Sequence, residues 1–209
     1  FEAYRAAKLG LFERLGRPRD AAPGKPWPRA GIVNRDDAEA AIFEAVTREA
    51  GARLVTYGTD RGADVRADRV EESVRAVRFR VATPTWGGEI GLNLMGRFNV
   101  HNALAVMALG EALGFDLDAM AAGLGGVTGV PGRMERIEAG QPFTVVVDYA
   151  HSPAALEHVL ELLAPLAAAR GGGLIAVFGS AGERDRAKRP IMGRVAGQRC
   201  RLVVLTDED

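Results

Sequence analysis

The sequence has little of what marks several large classes of protein. Its 209 residues contain a single cysteine, Cys200, so no internal disulfide can form, which fits a reducing compartment. No apolar run approaches the ~20 residues of a membrane-spanning helix, and no secretory signal is visible. The 27 Lys+Arg and 27 Asp+Glu balance, so no overall field attracts nucleic acid or an anionic membrane. We therefore expect a cytoplasmic protein whose partners are small molecules, with neither nucleic acid nor membrane among them.

Several chemical motifs are also missing. The chain has no G-x-x-x-x-G-K-[ST] loop, so these residues predict no triphosphate cradle of their own. It has no metal-ligand cluster and no Ser/His/Asp arrangement, so we expect no metal bound directly and no hydrolase triad. The chain begins at Phe1 within a helical pattern and stops at Asp209 just after an apolar strand. We expect it to be part of a longer protein.

Periodicity predicts an α/β fold with a change of pattern near residues 126–137, where Gly and Pro cluster. Before this stretch we expect a helix capped by Asp36 or Asp37, a strand, an antiparallel layer and two further helices. After it, strands and helices alternate, which predicts a βαβαβ unit with a parallel sheet. The predicted ranges are, for helices, 1–16, 36–51, 99–113, 116–124, 153–169 and 187–197, and for strands, 53–58, 74–84, 88–95, 143–148, 173–178 and 201–206.

Lys8 falls within the apolar stripe of the first helix, "FEAYRAAKLGLF", if each residue turns the helix by about 100°. A lysine in such a stripe most often lays its stem along the apolar surface and extends its ammonium into water. The functional alternative is a desolvated amine that acts as a base or accepts a covalent group.

Asn99 and Asn102 lie three positions apart at the start of an apolar helix in "GRFNVHNALAVMALGEALG". An N-cap explains one asparagine, because its side chain can accept from an unpaired backbone N–H. A carboxamide also offers a donor and an acceptor together, which suits the edge of an adenine ring. The pattern alone leaves a nucleobase contact and a cap plus a core polar group both open.

The stretch "VVVDYAHSP" places Asp148 at the carboxyl end of an apolar strand, where ligands bind in open parallel sheets. A carboxylate there can accept hydrogen bonds from ribose hydroxyls, or it can have a purely structural role. We expect Ser152 to cap the helix that begins at Pro153. His151 is either merely exposed on the turn or part of the site.

A cationic run follows the next predicted strand, in "FGSAGERDRAKRPIMG". Its glycines let backbone approach an anion, and Arg184 can hold a carboxylate or phosphate bidentately. Solvated surface charge is the usual alternative for such a run. Arg133 lies at the inferred junction, where it can reach a phosphate held by the preceding domain. The cations of the run are Arg184, Arg186, Lys188, Arg189 and Arg194.

Taken together, five stretches of this chain resemble the Mur ligase family, and within it the branch that adds the third residue of the peptidoglycan stem peptide. The resemblance runs over nearly the whole chain, and its most specific parts are DYAHSP and RDRAKRP. The stretches are "YRAAKLGLF", "NRDD", "GRFNVHNALAV", "VPGRMERIEAGQPFTVVVDYAHSP" and "VFGSAGERDRAKRPIMG".

The resemblance implies part of a central ATPase domain over residues 1–131 and part of a Rossmann-like ligase domain over residues 132–209. It implies an ATP- and Mg²⁺-dependent reaction in which the carboxylate of a UDP-MurNAc-dipeptide is phosphorylated and then attacked by the amine of a diamino acid. By the same resemblance, Asn99 and Asn102 contact adenine, Arg133 contacts phosphate and Asp148 lies near the nucleoside.

Further roles implied by the resemblance concern the reacting groups. Lys8 matches a carbamoylated lysine that helps hold Mg²⁺, and Arg184 matches an arginine that meets the incoming amino acid. His151 and Lys188 are further candidates beside these. Asp209 stands where relatives specific for diaminopimelate have an asparagine, so the identity of the amino acid stays open.

One departure from the family pattern is that Ser180 and Ala181 replace its usual cysteine and glycine. Two other functions remain open from the sequence. One is a nucleotide-binding subunit without catalysis, and the other is a ligase similar to folylpolyglutamate synthase.

Overall fold

The structure is a computed structural model that describes residues 2–17, 27–73, 76–180 and 185–207. Its contacts divide the chain into two compact units, Phe1–Thr128 and Gly129–Asp209, which are described separately. The domain boundary inferred from the sequence, between residues 131 and 132, stays a prediction. No helix in the described ranges combines the length and the apolar character needed to cross a membrane.

Unit 1 contains a five-stranded mixed sheet in the order β1-β2-β3-β4-β5. The pairs β1–β2 and β2–β3 are parallel, whereas β3–β4 and β4–β5 are antiparallel. A 3-10 turn, Arg14–Gly16, follows the first helix. The elements are α1 (Glu2–Glu13), β1 (Ala30–Asn34), α2 (Ala40–Glu49), β2 (Arg53–Gly58), β3 (Val65–Glu72), β4 (Val77–Ala82), β5 (Gly87–Leu92), α3 (Phe98–Leu113) and α4 (Leu117–Gly125).

The core of unit 1 lies between this sheet and α3. In β4 every second side chain is buried, as the two-residue period of a strand with one covered face requires. Phe79 and Leu104 are both almost fully buried in this cluster. The helix α3 packs against the first four strands, so its buried face lies on the sheet.

The structure of unit 1 differs from the sequence prediction at α2, β1 and β3. The helix expected to begin at Asp36 or Asp37 begins at Ala40, and no side chain caps it. Asp36 is not a cap because its carboxylate accepts hydrogen bonds from the loop after β2 instead. The strands β1 and β3 are not among those that the sequence predicts.

The described residues of unit 2 form two small sheets and two helices. The strands β8 and β9 are parallel, as expected, and α5 and α6 pack against each other. The strand expected over 143–148 is shorter, and it pairs antiparallel with β6. In the described residues it therefore belongs to a different sheet from β8 and β9. The elements are β6 (Glu135–Ile137), β7 (Val145–Val147), α5 (Pro153–Ala168), β8 (Ile175–Phe178), α6 (Lys188–Arg199) and β9 (Leu202–Leu205).

The α/β fold class with a parallel sheet is confirmed. Most helices and strands that the sequence predicted are present to within a few residues.

Candidate functional site

A polar cluster occupies the carboxyl ends of β1 and β2 in unit 1, the edge at which open parallel sheets bind ligands. The Asp36 carboxylate accepts from the Thr59 N–H at 2.7 Å, from the Thr59 hydroxyl at 2.8 Å and from the Asp60 N–H at 3.0 Å. This close approach depends on Gly58, because a Cβ there would lie 2.5 Å from Asp36 Oδ1. Asp36 is thus hydrogen-bonded to the loop at the end of β2.

His101, in the first turn of α3, joins this cluster. Its Nε2 lies 2.8 Å from Asp36 Oδ2. Burial raises the pKa of the Asp36 carboxyl, but hydrogen bonds from Thr59, His101 and Asp60 outweigh it and lower the pKa from 3.8 to about 2. The carboxylate is therefore charged at neutral pH and bridges the loop after β2 to α3.

Asn99 and Asn102 lie on either side of His101 in the sequence and contact each other. Asn99 Nδ2 donates to the Met95 carbonyl at 2.8 Å, and Asn102 Nδ2 donates to Asn99 Oδ1 at 3.0 Å. Neither is an N-cap, because Arg97 holds that position and no side chain caps α3. Asn102 is exposed. Its Oδ1 has no partner within the described residues, so it can accept from a ligand.

Lys8 does not occupy the desolvated position that the functional interpretation requires. It is exposed, and its Nζ lies 5.3 Å from the centroid of the Tyr4 ring. Tyr4 is 65% exposed and Leu11 is 64% exposed, whereas Phe12 is half-buried and its ring lies 5.1 Å from that of Phe43, so the apolar stripe of α1 is covered only in part. The exposed Lys8 side chain fits the interpretation in which its ammonium extends into water. The catalytic role of Lys8 stays a prediction.

In unit 2, the turn before β6 and the end of β7 bring Arg133 and Asp148 close together. Asp148 Oδ2 accepts from the Met134 N–H at 2.9 Å. The Arg133 guanidinium lies 4.9 Å from the centroid of the Tyr149 ring, within the range of a cation–π contact. Arg133 is exposed and Asp148 is half-buried, so an anion and a hydroxyl-bearing ligand can reach them.

His151 and Lys188 lie beside the same stretch. His151 Nδ1 is 3.0 Å from the Tyr149 carbonyl, and the His151 and Tyr149 rings are 4.9 Å apart. Lys188 Nζ donates to the His151 carbonyl at 3.1 Å. Ser152 accepts from the Ala155 N–H, so its role as the cap of α5 is confirmed.

The structure thus brings together Arg133, Asp148, His151 and Lys188 in unit 2, and Asn99 and Asn102 in unit 1. Arg184 and Asp209 lie outside the described residues. Ser180, at a departure from the family pattern, directs its hydroxyl to the Met192 sulfur at 3.4 Å.

The sequence patterns do not predict the roles of Asp36, His101 and Tyr149 in these clusters. They indicate a helix cap at Asp36 and give no role to His101 or Tyr149. A signal for Asp36 is present, because "NRDD" places two carboxylates within four residues of the apolar stretch Gly31 to Val33. No comparable signal marks His101, whose partner lies 65 positions away in the sequence.

Comparison with known proteins matches both parts of the chain to family models. The model of the Mur ligase middle domain matches residues 1–110, and the model described as "Mur ligase, glutamate ligase domain" matches residues 132–209. A UDP-N-acetylmuramyl-tripeptide synthetase of Roseiflexus sp. (strain RS-1) is 49% identical over 208 residues, which cover 100% of this chain and 40% of that protein.

Two solved structures extend the comparison. A UDP-N-acetylmuramoyl-L-alanyl-D-glutamate–2,6-diaminopimelate ligase is similar with a TM-score of 0.64 and 31% identity, over 99% of this chain and 40% of that chain. A folylpolyglutamate synthase of Thermotoga maritima shares the fold, with a TM-score of 0.68 and 22% identity, over 86% of this chain and 41% of that chain. The chain therefore spans about 40% of the length of the proteins it resembles.

Proposed function

The chain belongs to the Mur ligase family, and from that premise we propose that the intact protein is an ATP-dependent carbon–nitrogen ligase of peptidoglycan precursor synthesis. It adds a diamino acid to UDP-MurNAc-L-Ala-D-Glu as the third residue of the peptide. The observation that carries this proposal is the 49% identity, along all of this chain, to a relative described as a tripeptide synthetase.

The proposed reaction proceeds through an acyl phosphate. A carboxylate oxygen of the UDP-MurNAc-dipeptide attacks the γ-phosphorus of ATP, and ADP leaves. The amine of the diamino acid then attacks the acyl carbon, the C–O bond to phosphate breaks, and the amine loses a proton. Catalysis of this kind depends mainly on holding the reactants in line and stabilising negative charge.

The Asn99–Asn102 pair supports an adenine contact. Asn102, which is exposed near the start of α3, presents an unpaired carbonyl oxygen beside its amide hydrogens. This combination matches the donor and acceptor on the edge of an adenine ring. We therefore assign nucleobase binding to these two side chains.

Arg133 and Asp148 support contacts to the phosphate and ribose of the nucleotide. The guanidinium is exposed and always charged, so it can pair with phosphate oxygens. Only one oxygen of Asp148 accepts from Met134, which leaves the other for a ribose hydroxyl. His151 and Lys188 extend this cluster, and the Lys188 ammonium retains further hydrogens for an anion.

The remaining assignments rest on the family resemblance. Arg184 binds the carboxylate of the incoming amino acid, and Asp209 lies in the segment that selects it. Lys8 carries a carbamate that supports the metal ion. A carbamate forms only on a neutral amine, so this role requires that Lys8 be covered in the intact protein.

The Mg²⁺ ion enters the proposal only as the companion of ATP. Among the described residues no group of three or more His, Cys, Asp or Glu side chains could hold a metal ion. We therefore assign no ligand set to this chain and derive no step through the ion.

Two other functions are weaker. A folylpolyglutamate synthase-like ligase has only a shared fold in its favour, at 22% identity. A non-catalytic nucleotide-binding subunit would retain the asparagine pair and Arg133 but would not need residues for the amino acid. An upstream phosphate-binding loop in the intact protein favours the ligase, and its absence favours the subunit.

The test is a product assay with the intact protein, ATP, Mg²⁺, UDP-MurNAc-L-Ala-D-Glu and, in turn, meso-diaminopimelate, lysine and glutamate. We expect mass spectrometry to detect the UDP-linked tripeptide with one diamino acid and not with glutamate. A matched reaction with a folate and glutamate serves as the control. Glutamate transfer to the folate without any UDP-linked product would contradict the proposal.

A further inference from the structure

The first turn of α3 is not held in place by a helix cap. No side chain caps it, and the hydrogen bond from Asn99 to Met95 stays within the local turn. These bonds are local and do not reach the loops that follow β1 and β2. The contact between His101 and Asp36 differs, because it joins α3 to the loop after β1 across 65 positions of sequence.

Asp36 is itself fixed from the other side. Both of its oxygens accept hydrogen bonds from the loop that follows β2, through Thr59 and Asp60. Gly58 leaves room for the carboxylate, since an added Cβ would lie 2.5 Å from Asp36 Oδ1 and 2.8 Å from its Cγ. The carboxylate therefore connects the ends of two parallel strands to one imidazole on α3.

We propose that Asp36 and His101 are positioning residues, whose hydrogen bond sets the place of the first turn of α3 and thereby of the Asn99–Asn102 pair. This inference rests on the proposed function, in which that pair contacts the nucleotide. Neither residue needs to touch the ligand. The bond acts through the helix, because His101 lies within one turn of both asparagines.

The expected consequence is a specific loss of nucleotide affinity. Hydrogen-bonding groups recognise a ring edge only within a few tenths of an ångström, so a small shift of the turn weakens both carboxamide contacts. Loss of the Asp36–His101 hydrogen bond should weaken ATP binding about tenfold, which corresponds to about 1.4 kcal/mol. Folding of unit 1 should persist, because its apolar core between α3 and the sheet includes neither Asp36 nor His101.

The experiment is a double-mutant cycle in the intact protein, with Asp36→Ala, His101→Ala and the double variant. ATP–Mg²⁺ affinity is measured by calorimetry, and the thermal midpoint is measured in parallel. We expect each single variant to bind about tenfold more weakly and the double variant to bind no more weakly than either, because coupled residues are not additive. His101→Gln, which retains a donor, should recover part of the affinity.

Two further variants separate positioning from general stability. Gly58→Ala displaces the Asp36 carboxylate without changing either partner, and it should weaken ATP binding in the same way. Thr85→Val removes a 2.7 Å hydrogen bond to the buried Glu111 near the other end of α3, about 15 Å along the helix. It should lower the thermal midpoint and leave ATP affinity unchanged.

The outcomes distinguish this inference from the proposed function. Normal ATP binding by the wild type together with unchanged affinity in the folded variants would overturn this inference alone. Additive losses in the cycle would overturn it as well. A wild-type protein that binds no ATP would overturn both the inference and the proposed function.

Discussion

Replacing Asp148 by alanine is expected to loosen the turn before β6 in addition to weakening nucleotide binding. The carboxylate accepts from the Met134 N–H at 2.9 Å, and Met134 is only 6% exposed. Met134 also has a φ of 47°, in the left-handed region that costs a non-glycine residue about 1–2 kcal/mol. The Asp148 bond is therefore one of the contacts that hold an unfavourable conformation in place.

The magnitude follows from the loss of one charge-assisted bond to a buried donor. Such bonds contribute about 1.5–3 kcal/mol, and the half-buried state of Asp148 favours the lower end of that range. A loss of about 1.5 kcal/mol lowers the midpoint of a transition of 150–250 residues by about 3–6 °C.

Hydrogen exchange at the Met134 amide is the most direct assay, combined with thermal melting and ATP titration of the intact protein. Asp148→Ala should speed exchange of this amide, lower the midpoint and weaken ATP binding. Asp148→Asn is the matched control, because it keeps an acceptor oxygen for Met134 but loses the charge that faces a ribose. Unchanged exchange at Met134 in Asp148→Ala would refute the reasoning.

Three further predictions concern other parts of the chain. Lys8→Ala and Lys8→Arg should both abolish ligation, because neither side chain can form the anionic carbamate. Removal of bicarbonate at mildly acidic pH should also reduce the activity of the wild type. Full activity in Lys8→Arg would contradict the role of Lys8. Arg184→Ala should mainly raise the KM for the amino acid, since a bidentate carboxylate contact is lost, and a change confined to the KM for ATP would reassign Arg184 to the nucleotide. Because the pKa of Asp36 is lowered from 3.8 to about 2, its charged form contributes about 1 kcal/mol of stability, after allowance for solvent screening, above pH 3.8. That contribution should be lost as the pH falls through about 2, and an Asp36→Asn variant with the acid-unfolding curve of the wild type would be evidence against it.

The elements that the sequence predicted well are those whose determinants are local. The apolar period of α3 predicts 99–113, and the helix spans Phe98–Leu113. Ser152 caps α5 as expected, because its hydroxyl needs only the N–H of Ala155, three residues along the same helix. The alternation in β4 likewise depends only on neighbouring residues.

The errors arose where distant parts of the chain decide the structure. Asp36 has the residue type and the place of an N-cap. Its carboxylate instead accepts hydrogen bonds from Thr59 and His101, which lie 23 and 65 positions away in the sequence. In the same way, β1 follows a Pro/Gly-rich stretch and is only five residues long, so its own sequence pattern does not indicate a strand. Its extended conformation is stabilised by parallel pairing with β2.

In the candidate site, too, the local sequence indicates residue roles but not the contacts that complete them. The types of Asn99, Asn102 and Asp148 indicated polar contacts, and the structure gives each of them a protein partner that the pattern could not specify. The position of Lys8 in an apolar stripe did not predict its burial, because burial requires a second surface to cover the stripe.

The central claim is that the intact protein activates a carboxylate as an acyl phosphate before it forms the amide. Its most direct test uses UDP-MurNAc-L-Ala-D-Glu labelled with ¹⁸O in the reacting carboxylate, together with ATP, Mg²⁺ and the diamino acid. The account predicts that one labelled oxygen appears in the inorganic phosphate for each amide formed, and that ADP is the nucleotide product. Unlabelled phosphate, label in AMP, or ATP hydrolysis that proceeds equally well without the two substrates would contradict it.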